Sequence, residues 1–393
     1  MTTDRNLALA DRPKNANASV RAEGREFAGW TEVRISRSIE DAASSFGFSA
    51  TSRWPGQDNP MQVLPDSACE VRIGTDRLIT GAVDVLSPSY DAETHTNAVT
   101  GRSKTAQLVD CSALHEDPIT RSAKSGRWRD VRLEDLAADL CAPYDVEVVT
   151  QADTGARLAR FAIEDGETAF SALERAAATR AVLLTDDALG RLVLTRAGAT
   201  RCRTALVASG DEANVLRCSA SFDGAVRYSE YRCRGARSGS DLDFGDVLGS
   251  VGTALDDGLS RRRVLVIRPE KAADAAACRD RAIWEAAQRA GQSVQIGYAV
   301  AGWRQGNGDL WEPNAIVRVE DPIVGVHAEL LIVSCDWTLD EGGGEITEMR
   351  VAPVGGYELL EPATRPRKIT KGVGVWAALG AVGADALRRQ GGK

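Results

Sequence analysis

Alternation of apolar and polar positions, the period-2 signature of a half-buried strand, dominates residues 20–110 and returns after residue 300. Trp30, Val33 and Ile35 begin one strand, and Phe46 and Phe48 point one way along another. Within these regions one strand-turn-strand unit is written twice. The first copy begins at Pro65, runs through Val71-Arg72-Ile73 and Leu78-Ile79 to Asp84, turns at Asp91 to Glu93, and closes at Val99 and Gly101. The second begins at Pro313, runs through Val317-Arg318-Val319 and Leu330-Leu331 to Asp336, turns at Asp340-Glu341, and closes at Val351 and Pro353. In both, the Asp follows the first Leu by six residues and the closing Val follows the Asp by fifteen, although the second copy carries six extra residues between its Arg and its Asp. The duplication predicts two related antiparallel β-barrels per chain. A small ring of such chains presents twice as many barrels as chains.

Between the copies the period changes. Leu133, Leu136, Ala137 and Leu140 fall at helical spacing and Pro143 ends that run, while Phe170, Leu173 and Ala177 mark a second helix. Strand-like runs at Val146–Val149, Val182–Leu184 and Leu192–Leu194 complete an α+β module. Strands resume at Val215–Phe222 and Val226–Cys233, and Gly235–Gly258, rich in Gly, Ser and Asp, reads as an exposed loop. Pro269 then opens an Ala-rich helix reaching Ala290, with Gly291 as its C-terminal cap. The expected organisation is mainly β with α+β insertions. A first β-barrel covers 1–110, an α+β module 111–205, a split second β-barrel 206–238 and 300–360, a loop and helical insertion 239–299, and a basic tail 361–393.

At 393 residues the chain is long enough for two to four domains. Its net charge of −8 argues against broad phosphate-backbone binding, which requires clustered Lys and Arg. Residues 363–393 carry seven basic side chains against the single acid Asp385, which leaves −14 for residues 1–362. Eight scattered cysteines lack the close pairs of a zinc site and predict reduced thiols in a cytosolically folded protein. Met1–Asn17 is polar, without an apolar signal core. Val373–Leu387, 15 residues interrupted by Gly and Asp385, is too short to span a bilayer, so no membrane anchor is expected.

Catalytic patterns are weak throughout. Asp243-Phe244-Gly245 spells the metal-binding tripeptide of protein kinases, but no Gly-rich phosphate loop or catalytic loop precedes it. Gly306-Asn307-Gly308 reads as a hairpin turn. His95, His115 and His327 stand alone in turn-like contexts, and the carboxylate pairs Asp186-Asp187 and Asp256-Asp257 sit where Asp favours turns. Trp284, Trp303 and Trp311 fit a sugar-stacking platform or, more simply, buried cores and interfaces. No catalytic, cofactor or metal residue is assigned. In the tail, Trp376, Leu379, Gly383 and Leu387 form one apolar stripe at helical spacing between basic ends, a candidate partner-binding face.

Gly101-Arg102-Ser103-Lys104 followed by Leu108-Val109-Asp110-Cys111-Ser112 resembles the segment closing the first barrel in the baseplate hub proteins of Mu-like contractile-tailed phages. Trp284-Glu285 through Arg289-Ala290-Gly291, then Gly302-Trp303, Gly308, Leu310-Trp311 and Pro313-Asn314, resembles the same family, and the likeness covers roughly residues 20–360. The resemblance implies a homotrimer in which two barrels per chain form a pseudo-sixfold ring, joining the tail tube and other baseplate proteins to a central spike protein. It implies a virion protein assembled in the host cytoplasm and no catalytic residue, Gly101, Arg102, Ser103, Asp110, Trp284, Gly302, Trp303, Trp311 and Pro313 being structural; the −14 of residues 1–362 adds the expectation that, where this charge lines a central channel, DNA passes unbound. The tail has no counterpart in it. Two rivals of other classes are a tail-associated cell-wall hydrolase and a carbohydrate-binding receptor module.

Overall fold

The computed structural model of the chain describes residues 18–51, 63–91, 95–114, 126–178, 180, 182–235, 251–268, 275–340 and 342–357. The first part of the chain supplies β1 (Ala18–Ala22), β2 (Arg25–Phe27), β3 (Glu32–Ser38), β4 (Ser45–Thr51), β5 (Ala68–Ile73), β6 (Asp76–Tyr90) and β7 (His95–Ser103). The α+β region follows with α1 (Ala106–Asp110), β8 (Arg127–Val131), α2 (Leu133–Cys141), β9 (Val148–Thr150), β10 (Leu158–Ala162), α3 (Ala169–Ala178), β11 (Leu183–Asp186) and β12 (Leu192–Thr195). The last part contains β13 (Thr200–Arg201), β14 (Leu206–Val207), β15 (Val215–Phe222), β16 (Glu230–Arg234), β17 (Val251–Leu255), β18 (Val264–Ile267), α4 (Ala275–Gln292), β19 (Val294–Ala301), β20 (Ala315–Asp321), β21 (Val326–Asp340) and β22 (Gly344–Ala352).

The strand pairing writes the duplication in backbone hydrogen bonds. One half is ordered β3-β4-β7-β6-β5 and the other β15-β19-β22-β21-β20, so in each the first strand pairs the second, the second the fifth, the fifth the fourth and the fourth the third. The fourth strands, β6 and β21, both have 15 residues, and the fifth, β7 and β22, both have nine. Each fourth-fifth pair carries a bulge, between Val83 and Val85 and between Ile332 and Ser334. These bulges correct the phase of the repeat. Gly101 faces Val83 as Val351 faces Ile332, so the two closing valines are not equivalent and the copies are offset by two residues there. Alternation repeats every two residues, so such a slip keeps every side chain on its own face and leaves no trace in the pattern.

The two halves are one 14-stranded sheet among the described residues, with no hydrogen-bonded pair closing either half on itself. The joint is β3 against β21, antiparallel, from Ser38 opposite Ser334 to Val33 opposite Leu339. Val33, Ile35, Cys335 and Trp337 are buried along it, and a single apolar core continues through both halves. A second core, from Leu108 to Leu194, lies within the α+β region. There α2 buries Leu133, Leu136, Ala137 and Leu140, and α3 buries Ala172, Leu173, Ala176 and Ala177, the stripes that helical spacing demands.

Four expectations need correction. β16, expected in the second barrel, pairs instead with β17 and β18 in a separate three-stranded sheet that α4 covers through Tyr231, Cys233, Cys278 and Ala282. β17 itself falls where an exposed loop is expected. Its alternation is masked by Gly and Thr, and Gly252 is needed because a Cβ there would stand 2.1 Å from Arg279 N. Finally, Gly291 does not cap α4 but lies inside it, because the helix backbone passes so close to Gly356 that a Cβ would be 2.2 Å from its Cα. The strand following α4, β19, also starts earlier than the expected second-barrel boundary at residue 300.

Trp337 is fully buried, facing Ile35 of β3 on one side and Thr347 of β22 on the other. Replacing it by Ala should destabilise the main sheet by about 3–5 kcal/mol, measured by chemical denaturation, and loosen both halves in one transition rather than one half alone.

Candidate assembly interface

The residues of the first sequence motif fall at a joint between structural units. Gly101 lies on β7 with Phe46 of β4 opposite, and a Cβ there would meet Ala82 O at 2.3 Å and Phe46 Cζ at 2.4 Å. Its glycine is a requirement of close strand packing. The next residue, Arg102, binds two carboxylates at once. Its Nε donates to Asp84 Oδ2 at 2.7 Å, at the β6 bulge, and its Nη2 to Asp110 Oδ2 at 2.7 Å, the last residue of α1. Hydrogen bonding to Asp110 and then Asp84 raises the Arg102 pKa, and the bond from Arg102 holds the Asp110 carboxyl below its ordinary range. Ser103 is buried, its Oγ 2.7 Å from Thr105 Oγ1, and its N–H donates to Ser44 O. The motif therefore fastens the first half of the sheet to the α+β region.

Contacts distant in sequence tighten that joint. Asp186 is buried and accepts from Ser44 N–H at 2.9 Å and Ser44 Oγ at 2.8 Å. Thr80 Oγ1 donates to Ala188 O at 2.8 Å, and Gly190, with φ +74°, passes close enough to Thr80 that a Cβ would lie 2.5 Å from its carbonyl oxygen. Sequence reading misses Ser44 and Thr80 and places Asp186, the buried last residue of β11, in a turn. They lie over 100 residues from their partners, so no local pattern carries them.

The second motif packs mainly within the second half. Trp303 and Trp311 are buried in the main core, and Trp303 Nε1 donates to Thr338 O at 3.0 Å. Gly302 has φ +78° and its carbonyl accepts from Thr347 Oγ1 at 2.8 Å. Half-buried Pro313 precedes Asn314, whose φ of +65° lets its amide side chain accept from Gly198 N–H and donate to Arg196 O. Trp284 is on α4, with the Arg281 guanidinium 4.3 Å from its ring centroid. The three tryptophans thus serve packing in two places and form no common platform. Between Trp303 and Trp311 the hairpin sends Arg304 to Asp76 at 2.7 Å, a second tie between the halves. Trp376, Leu379, Gly383 and Leu387 lie outside the described residues.

Both carboxylate pairs picked out in the sequence have members held by arginines. Asp256 accepts from Arg227 Nε at 2.9 Å and Nη2 at 2.7 Å in a buried ion pair, and Asp187 pairs with Arg191. Among the described residues no group of three His, Cys, Asp or Glu side chains could hold a metal ion. The eight cysteines are unbridged, and burial pushes the Cys69 and Cys141 thiols up to about 12. Among the described residues no helix is long and apolar enough to cross a membrane.

A repeated β lobe joined edge to edge, with its motif residues spent on packing and on one joint, fits a structural assembly protein. Family models place the same assignment along the chain: the N-terminal domain of the Mu phage baseplate assembly protein GpP-like at 17–103, the second domain of baseplate hub protein gp44-like at 105–196, and the fourth domain of Mu phage baseplate assembly protein GpP at 274–360. The baseplate hub protein gp44 of Escherichia phage Mu is 32% identical over 380 residues, 94% of this chain and 96% of that protein. The crystal structure of the prophage MuSo2 43 kDa tail protein from Shewanella oneidensis, also 32% identical, superposes with a TM-score of 0.76 over 87% of this chain and 99% of that one. At 10% identity and a TM-score of 0.52, the E. coli c3393 protein, a component of the type VI secretion system, shares the fold over 88% of this chain and 80% of its own. The chain belongs to the Mu-like baseplate hub family and is a baseplate hub of a contractile phage tail, a component of the virion.

Two measurements check the joint at Gly101–Asp110. Gly101→Ala should cost about 1–3 kcal/mol in a denaturation experiment, because Phe46 and the Ala82 carbonyl must both move. Asp110→Asn should cost about 0.5–1 kcal/mol at neutral pH, the range of a part-exposed ion pair. The folded Asp110 pKa is depressed, so this contribution is present above the unfolded value near 4 and is lost as pH falls through the lower folded value. Wild type and variant should therefore converge in stability in acid.

Proposed function

We propose that three copies of this hub form a pseudo-sixfold ring of β lobes that adapts the tail tube to a central spike. The observation that carries the reading is the five-strand order written twice in one chain, which gives a trimer six like lobes. The family supports it, and the type VI component that shares the fold is described as structurally similar to the T4 tail proteins gp27 and gp5. The role is docking rather than catalysis. Buried Trp303 and Trp311 speak against a carbohydrate receptor, and the engaged pairs Asp187–Arg191 and Asp256–Arg227 against a hydrolase centre built on them. Residues 1–362 carry −14, or −42 over three copies, and acidic groups lining the channel would let DNA pass unbound. The basic tail docks a neighbouring component through Trp376, Leu379, Gly383 and Leu387.

Native mass spectrometry of the hub, free or released from tails, should give three times the 41.9 kDa chain, 125.7 kDa. A ring of six identical chains contradicts the reading. Deleting residues 363–393 should preserve that mass but lower incorporation into tails severalfold, and equal incorporation removes the role given to the tail. A zymogram on cell wall should show no cleared band.

A further inference from the structure

Within the chain, the first strand of one lobe adds to the fourth strand of the other, β3 to the C-terminal half of β21. The converse contact is not made. β15, the first strand of the second lobe, ends the sheet, and the C-terminal half of β6, the fourth strand of the first lobe, pairs only with β7 among the described residues. Burial reports the difference. Val33, Ile35, Cys335 and Trp337 at the made contact are all buried, whereas Tyr90 at the end of β6 is 82% and Phe222 at the end of β15 is 38% exposed. Leu86 on β6 and Cys218 and Ala220 on β15 reach the main core but stay only partly buried, as inward side chains at an incomplete seam would.

The repeat fixes the register of the missing contact. Taking the bulges as markers, Gly101 corresponds to Val351, and through the ladders Phe46 to Ile296, Ile35 to Ala220 and Val33 to Cys218. On the fourth strands Cys335 corresponds to Leu86, Trp337 to Pro88 and Leu339 to Tyr90. Since Ile35 faces Trp337, Ala220 should face Pro88. We propose that β15 residues Cys218–Phe222 add antiparallel to Leu86–Tyr90 of β6 in a second copy of this chain, with Ser221 opposite Ser87 and Ser219 opposite Ser89. The contact is head-to-tail, so it propagates from chain to chain until it closes into a ring. Pro88 offers an acceptor but no donor, which costs this seam one hydrogen bond relative to β3–β21, and proline is tolerated in a strand only where its missing N–H leaves no partner within the chain unserved. The proposal rests on the trimeric reading above and adds to it which edges meet and in what register.

The test is disulfide trapping in the full-length protein, purified and in assembled tails. The double variant Ser87→Cys/Ser221→Cys should yield covalent dimers and trimers on a non-reducing gel after mild oxidation, and so should Ser89→Cys/Ser219→Cys as an independent pair. The single variants, and Ser87→Cys combined with Arg217→Cys, displaced by four residues or about 13 Å along the strand, should not. A native mass of three chains without either in-register crosslink overturns the strand pairing and leaves the trimer standing. A native mass other than three chains, from solution and from tails alike, overturns the trimer and this proposal with it.

Discussion

Everything in this molecule depends on the antiparallel ladder between β3 and β21. It joins the first strand of one lobe to the long fourth strand of the other, buries Ile35 against Trp337, and turns two similar halves into one sheet over one core. Without it each half would expose a strand edge and an apolar face, the condition that sheet proteins avoid. The Arg304–Asp76 ion pair is exposed and adds little beside it. The relative orientation of the lobes is thus set by backbone hydrogen bonds and buried side chains, which makes it rigid, as the adaptor role proposed above requires.

The peripheral units are fixed to this frame by a different kind of contact. Where the α+β region meets the first half, Arg102, Asp186 and Thr80 supply hydrogen bonds, and Gly101 and Gly190 allow backbones to approach. Where the small three-stranded sheet meets the second half, Gly291 on Gly356 does the same, while the buried Arg227–Asp256 pair secures that sheet internally. Breaking such a buried pair by removing one partner costs about 3–5 kcal/mol, which would make the small lobe sensitive to a single charge.

Much of the β architecture was legible because alternation is written directly into the strands, as at Val71 and Ile73 or Val317 and Val319. The duplication was visible for the same reason. Its phase was not, because a two-residue slip preserves the alternation and the bulges beside Asp84 and Val333 leave no local signature. β17 was hidden by the Gly and Asp around it, and β16 by the fact that a strand's sequence does not say which sheet it joins. Gly291 reads as a cap because glycine after a helical run usually is one. The packing need that holds it there comes from Gly356, 65 positions away. Of the motif residues, the sequence named Arg102 and Asp110 but could not say that they pair with each other.

The most direct test of the account is an axial density map of an assembled tail tip at a resolution that separates β lobes. Three chains contributing six like lobes around the axis, alternating first and second halves, is the predicted result. Six chains around the axis, or three chains whose second halves lie outside the ring formed by the first, would contradict it.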